Sequence, residues 1–169
     1  KELTDNLNWP VKSFILSDLE ISDCMGCFKC WVKTPGMCVI NDISSTINKE
    51  IIQSDLMVCI TPIVFGGFSY DLKKAYDRLI PTGSPFFTKV AGETHHKKRY
   101  ENYPSVISIG ILEEEDNELQ EIFELLIKRN NLNMYSPVCK TFVINLSKSE
   151  KEIEKLVSSI FSGLEKKNE

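Results

Sequence analysis

The chain has 169 residues, 42% of them hydrophobic and 26% charged, with a net charge of −4. That length carries one domain with its own core and no need of disulfide staples, and the acidic balance argues against a nucleic-acid or anionic-membrane partner. No apolar run approaches a membrane span and nothing at the start reads as a signal peptide, so a reducing cytoplasm is the expected location.

In chain order, Glu2–Leu7 reads as the tail of a helix. Val11–Leu16 follows with partial alternation, as a strand exposed on one side or at a sheet edge. Next come Cys24, Cys27, Cys30 and Cys38, four of the six cysteines, spaced C-x2-C-x2-C-x7-C. Cysteines every third residue can turn several sulfurs inward from one coil, as an iron–sulfur cluster requires of its thiolates. A structural zinc is less well served, because its ligand pairs come from two separated knuckles. Disulfides suit a small secreted domain better than this chain. The plain alternative is a turn of reduced, partly buried thiols that bind nothing, since cysteine packs as a small hydrophobe. Phe28 and Trp31 can shield a cluster or simply pack.

Asp42 offers an N-cap to a helix carrying Ile43, Ile47, Ile51 and Ile52. Leu56–Thr61 is a continuous apolar run, as expected of an interior parallel strand covered on both faces. Pro62 stops it, and Gly66-Gly67 opens the next loop, where glycines let backbone N–H groups approach a flat ring or simply make a tight turn. Leu72, Ala75, Tyr76, Leu79 and Ile80 form the buried stripe of a helix ended by Pro81. The segment from Pro81 to Pro104 reads as a long irregular loop, and loops of that length are often functional covers. Its His95 and His96, beside Lys97, Lys98 and Arg99, suggest an exposed basic patch. Val106–Leu112 is a second buried strand. The acidic Glu113–Asp116 suits the positive start of a helix bearing Leu119, Ile122, Phe123, Leu126 and Ile127. Val138–Ile144 is the last strand, and Ser149 with Glu152 forms a capping box for a closing amphipathic helix.

Strand–helix alternation of this kind means an α/β fold with a mostly parallel sheet, read as a single domain over residues 1–169. Ligands in such sheets sit beyond the carboxyl ends of the strands. The cysteine loop, the Thr61–Phe68 loop and the loop after Leu112 are expected to converge there. No G-x-G-x-x-G, Walker or hydrolase signature is present.

Cys24-x-x-Cys27-x-x-Cys30-Trp31, Lys33-Thr34-Pro35-Gly36-x-Cys38 and Asp42 resemble the flavodoxin-like NAD(P)H-dependent FMN reductase family, in its iron–sulfur flavoprotein branch. Thr61-Pro62-x-x-Phe65-Gly66, Ser69, Leu72-Lys73 and Asp77-Arg78 continue the likeness, and Gly92–His95 with Arg99-Tyr100 adds a weaker match. The resemblance implies a doubly wound sheet of strand order 2-1-3-4-5 and FMN held by Thr61, Pro62, Ile63, Val64, Phe65, Gly66, Gly67 and Ile111. It also implies a 4Fe–4S cluster on Cys24, Cys27, Cys30 and Cys38, with or without which FMN is expected. The long loop would cover the flavin or meet a nucleotide's phosphates.

Two features depart from the family. Its central first strand and Ser-rich phosphate loop are not found here, and are expected upstream of Lys1. Val64 stands where the family often has a tyrosine against the ring. The implied activity is an FMN-dependent oxidoreductase reduced by NADH or NADPH, passing electrons to an unidentified acceptor, in a homo-oligomer. No side chain is assigned a catalytic role, because hydride chemistry belongs to the flavin. The rivals are an electron-transfer module built on cluster and flavin, and a silent remnant of a flavin site.

Overall fold

The structure, a computed structural model, describes residues 9–165, with side chains through residue 161. The helix tail expected at Glu2–Leu7 lies outside the described residues. In chain order the elements are α1 (Lys29–Val32), α2 (Ser44–Gln53), β1 (Leu56–Pro62), α3 (Tyr70–Asp77), β2 (Phe87–Val90) and β3 (Glu93–His96). They continue with β4 (Ser105–Leu112), α4 (Asn117–Met134), β5 (Cys139–Asn145) and α5 (Glu150–Glu165).

Three parallel strands in the order β1-β4-β5 make the main sheet. Its register runs from Leu56 opposite Ser105 to Pro62 opposite Ile111, and from Val106 opposite Cys139 to Leu112 opposite Asn145. The α/β expectation holds. The order 2-1-3-4-5 calls for five strands, and the main sheet has three among the described residues. β4 is central, and its apolar run is buried on both faces. Ile107 and Ile109 join Ile144 of β5 against Ile160 of α5. On the other face Met57, Cys59 and Val106 pack on Leu72, Leu79 and Met134, while Ile63 and Leu112 pack on Phe123 and Ile127 of α4. Gly110 is fixed by that second packing: a Cβ there would lie 2.6 Å from Ile63 Cδ1 and 2.9 Å from Phe123 Cε1.

Three expectations are corrected. Val11–Leu16 forms no strand; a 3-10 turn begins at Leu16, and Phe14, Leu16 and Leu19 bury themselves against Ile21, Ile47 and Ala75 instead. Packing gives these side chains their burial without a pairing partner. β1 is covered on one face only, with Val58 38% and Ile60 63% exposed, and among the described residues it pairs with β4 alone. The long irregular loop contains an antiparallel hairpin, β2–β3, pairing Phe87 with His96 and Val90 with Glu93.

The Asp42 cap expected for α2 is corrected, since the cap position is Ile43 and carries no side-chain cap bond, whereas α4 and α5 start as the sequence suggests. Asp116 accepts the Leu119 N–H at 2.9 Å, and Glu152 accepts the Ser149 N–H at 3.0 Å, the second half of the expected capping box. Among the described residues no helix is long and apolar enough to cross a membrane.

Candidate functional site

The loop after β1 is ordered by a turn that the sequence suggested only through its glycines. Val64 and Gly67 exchange two backbone hydrogen bonds, of 3.1 and 2.9 Å. Phe65 and Gly66 between them have φ of +48° and +74°. Two consecutive left-handed residues closed in this way make a type I′ turn, a geometry that L side chains adopt only under constraint. Phe65 nevertheless holds the first position and is 96% exposed. Its N–H and that of Gly66 donate to no backbone carbonyl among the described residues. Gly66 cannot be replaced freely, since an added Cβ would lie 2.4 Å from Ile122 Cγ2 on α4.

The turn is anchored at both sides. The Ile63 N–H donates to the Ile111 carbonyl at 2.9 Å, extending the β1–β4 ladder. The buried Thr61 hydroxyl accepts the Ser69 N–H at 3.0 Å, and Ser69 caps α3 by accepting the Leu72 N–H at 3.4 Å. Thr61, Pro62, Ile63, Val64, Phe65, Gly66, Gly67 and Ile111 thus form one continuous rim at the carboxyl edge of the sheet. Pro62, Val64 and Phe65 are its exposed apolar members. The loop after Leu112 belongs to the same edge, with a polar cavity of about 40 Å³ between Leu112, Asp116 and Asn145.

The four cysteines come together elsewhere. Gly26 (φ +61°) and Phe28 (φ +52°) coil the chain on either side of Cys27. Cys30 sits in α1, and a turn closed from the Gly36 N–H to the Cys30 carbonyl at 3.0 Å returns the chain to Cys38. Cys24, Cys27, Cys30 and Cys38 line one apolar cavity of about 140 Å³, together with Phe28, Ile40, Asp77, Arg78, Ile80 and Pro81. Cys24 and Cys27 are exposed, Cys38 half-buried and Cys30 buried. Burial pushes the Cys30 thiol up, and the neighbouring Cys38, Cys24 and Cys27 push it the same way. Among the described residues no three Cys, His, Asp or Glu side chains are grouped closely enough to hold a single metal ion.

The cavity meets residues at the end of α3, whereas the turn precedes its start. The expected convergence of three loops is therefore corrected to two sites at opposite ends of an eight-residue helix, about 12 Å long at 1.5 Å per residue. Trp31 closes the cavity side by stacking on Phe28 at 5.0 Å and donating Nε1–H to the Ile80 carbonyl at 3.1 Å.

The histidines are not a solvated patch. His95 is buried between Asn133 and Glu93, at 3.1 and 3.2 Å. His96 bonds the Ser84 carbonyl at 2.7 Å and packs on Phe87 and Trp31. Both tie the hairpin to the body. Cys59 is a buried core residue, its thiol pushed up to about 11 by burial.

The residue with no assigned role in the sequence is Arg78. It is 1% exposed, and its Nη2 donates to Asp42 Oδ1 at 3.0 Å. Burial raises the Asp42 carboxyl, but hydrogen bonds from Ser44 and Ser22 and the Arg78 charge outweigh it and hold the pKa below its ordinary value. Asp42 also accepts the Ser44 N–H at 3.0 Å, one residue before the helix cap position. Its only sequence signal was its place in the Asp77-Arg78 pair of the family resemblance, which says nothing of burial or of Asp42.

This is a flavodoxin-like α/β fold. The structure is similar to azoreductase AzrA, with a TM-score of 0.57 at 10% identity, covering 85% of this chain and 74% of that one. It is also similar to an FMN-dependent NADH-azoreductase from Bacillus anthracis str. Ames Ancestor, solved in complex with FMN, with a TM-score of 0.56 at 13% identity, covering 89% and 79% of the two chains. In sequence it is similar to an iron–sulfur flavoprotein of Methanocaldococcus jannaschii, 37% identical over 79 residues, which are 46% of this chain and 40% of that protein. The chain thus matches less than half the length of that curated relative. No protein-family model matches it.

Proposed function

We propose that the protein is an FMN-dependent oxidoreductase that takes reducing equivalents from NADH or NADPH and passes them to a small-molecule or protein acceptor. The observation that carries this is the type I′ turn at Val64–Gly67. At the carboxyl edge of a parallel sheet it presents two backbone donors without acceptors among the described residues and two exposed apolar side chains. A flat ring with polar edges matches that combination: Val64 and Phe65 offer it a face, and the Phe65 and Gly66 N–H groups offer its heteroatoms hydrogen bonds. When bound, FMN supplies the hydride chemistry. The chain's own part is to hold the ring, screen its face from water and fix its edge through the Thr61–Ser69 and Ile63–Ile111 bonds. The azoreductase neighbours and the flavoprotein relative support the same reading. A cytoplasmic homo-oligomer is part of the proposal. Purified gently at full length, the protein is expected to be yellow, to release FMN on denaturation, and to oxidise NADH or NADPH in the presence of an artificial acceptor. Colourless protein that also fails to quench the fluorescence of added FMN at micromolar levels refutes it.

A second reading adds a 4Fe–4S cluster at Cys24, Cys27, Cys30 and Cys38, which would make the protein an electron-transfer flavoprotein. Its support is the shared cavity. In a cubane each iron takes one thiolate, so the four sulfurs need to surround a space and need not crowd one point. The lack of a single-ion grouping therefore counts against zinc more than against a cluster. When bound, the cluster would carry single electrons. Anaerobic reconstitution with iron and sulfide is expected to load about four irons per chain, and under about one iron per chain rules this reading out.

A further inference from the structure

Arg78 is anchored on every side except one. Nε donates to Ser44 Oγ at 3.1 Å, and Nη2 donates to Ser44 Oγ at 2.8 Å, to Asp42 Oδ1 at 3.0 Å and to the Ile40 carbonyl at 3.3 Å. Its own carbonyl accepts from Asn48 Nδ2 at 2.8 Å. Nη1 alone is buried with no acceptor. A buried guanidinium nitrogen left in that state is costly, because it has given up water and gained nothing in exchange. The same side chain lines the cavity of Cys24, Cys27, Cys30 and Cys38. The other ionisable non-cysteine group on that cavity is Asp77, whose carboxylate is taken by Lys73 at 2.6 Å. Asp42 takes the guanidinium through Nη2, which leaves Nη1 without an acceptor on a residue that lines the cavity.

We infer that Arg78 is the counter-charge of whatever anionic group the cysteine cavity holds, donating Nη1–H to one of its sulfurs. This rests on the cluster reading. Hydrogen bonds to sulfur and net charge near a cluster are two of the protein's levers on its reduction potential. A cation held by Ser44 and Asp42 favours the more negative, reduced state. Arg78 is here a positioning and tuning group, since it ligates nothing.

The test uses the full chain, reconstituted anaerobically with iron and sulfide, as wild type, Arg78→Lys and Arg78→Met. Iron per chain, the potential from a mediated dithionite titration, and pulsed EPR of reduced wild type labelled with 15N-arginine are the readouts. A 15N coupling is expected, and it must persist in Arg99→Lys, because Arg99 Nη1 also approaches the same cysteine loop at Gly36. Arg78→Met is expected to lower the potential, by about 59 mV for a tenfold loss in the one-electron equilibrium, with Arg78→Lys between it and wild type. Loaded wild type without the coupling, or with a potential unmoved in both variants, overturns the role of Arg78 and leaves the cluster reading standing. Wild type that takes up no iron overturns both. If the variants do not fold, the coupling in wild type decides.

Discussion

Gly66→Ala separates the geometry of the strand-end turn from its general looseness. The φ of +74° puts an L residue in the left-handed region, which costs about 1 kcal/mol. The new Cβ would also lie 2.4 Å from Ile122 Cγ2 and 2.9 Å from Ile122 Cβ. Overpacking of this kind costs about 1–3 kcal/mol, so the sum is about 2–4 kcal/mol. Gly67→Ala is the internal control: its φ is ordinary, and an added Cβ meets nothing nearer than the Val64 carbonyl at 3.5 Å. That change is expected to stay within about 0.5 kcal/mol. Urea denaturation followed by circular dichroism reads the difference. With m of about 2 kcal/mol/M, Gly66→Ala lowers the midpoint by about 1–2 M. Adding Ile122→Ala removes the Cγ2 contact and restores part of the loss, while the φ penalty stays. Equal midpoints for Gly66→Ala and Gly67→Ala, or no recovery in the double variant, would refute the reasoning.

Phe65→Asn creates Asn-Gly, the pair that type I′ turns favour, so stability is expected to rise by up to about 1 kcal/mol while FMN affinity falls. Thermal melts and flavin-fluorescence titration check the two halves, and a variant that binds FMN as well as wild type removes Phe65 from the site. Asp42 has a folded pKa below its ordinary 3.8, so the stability it contributes is present above that value and is lost as pH falls through the folded pKa. Wild type is therefore expected to lose stability on acidification below about pH 3.8 more steeply than Asp42→Asn, as melting temperatures across that range will show; parallel profiles would exclude Asp42 as the source.

What the sequence made legible followed the strength of its patterns. β1, β4 and β5 were readable as apolar runs, and α3, α4 and α5 as stripes at helical spacing, because burial against a sheet imposes both. Val11–Leu16 was misread because its partial alternation says nothing about a neighbour. Phe14 and Leu16 found burial on Ile21, Ile47 and Ala75 without one. The β2–β3 hairpin was missed because its strands are short and polar and its turn is Ala91-Gly92, with φ of +51° and +82°, in place of the usual Asn-Gly or Asp-Gly. The cysteine spacing was legible, and the structure gathers all four on one cavity. Arg78 was not, since its partner Asp42 lies 36 residues away and no local pattern announces such a pair.

Two residues break local rules, and their positions bear on how the candidate sites are coupled. Phe65 occupies left-handed backbone while almost wholly exposed, so packing does not explain it. Arg78 is buried with a nitrogen unpaired, so hydrogen bonding within the protein does not explain it. Sequences that are otherwise consistent tend to keep such conflicts where function demands them. Phe65 stands before the start of α3 and Arg78 just after its end. Between them the helix is fixed at its start through Ser69 and Thr61 and along its buried side by Leu72 and Ala75. A short helix held in this way sets the spacing between the two candidate sites. A larger side chain at Ala75, in the packed cluster with Ile21 and Ile47, is therefore expected to overpack the helix that spaces the sites, whereas changes at the exposed Lys73–Asp77 pair are expected to leave that packing intact.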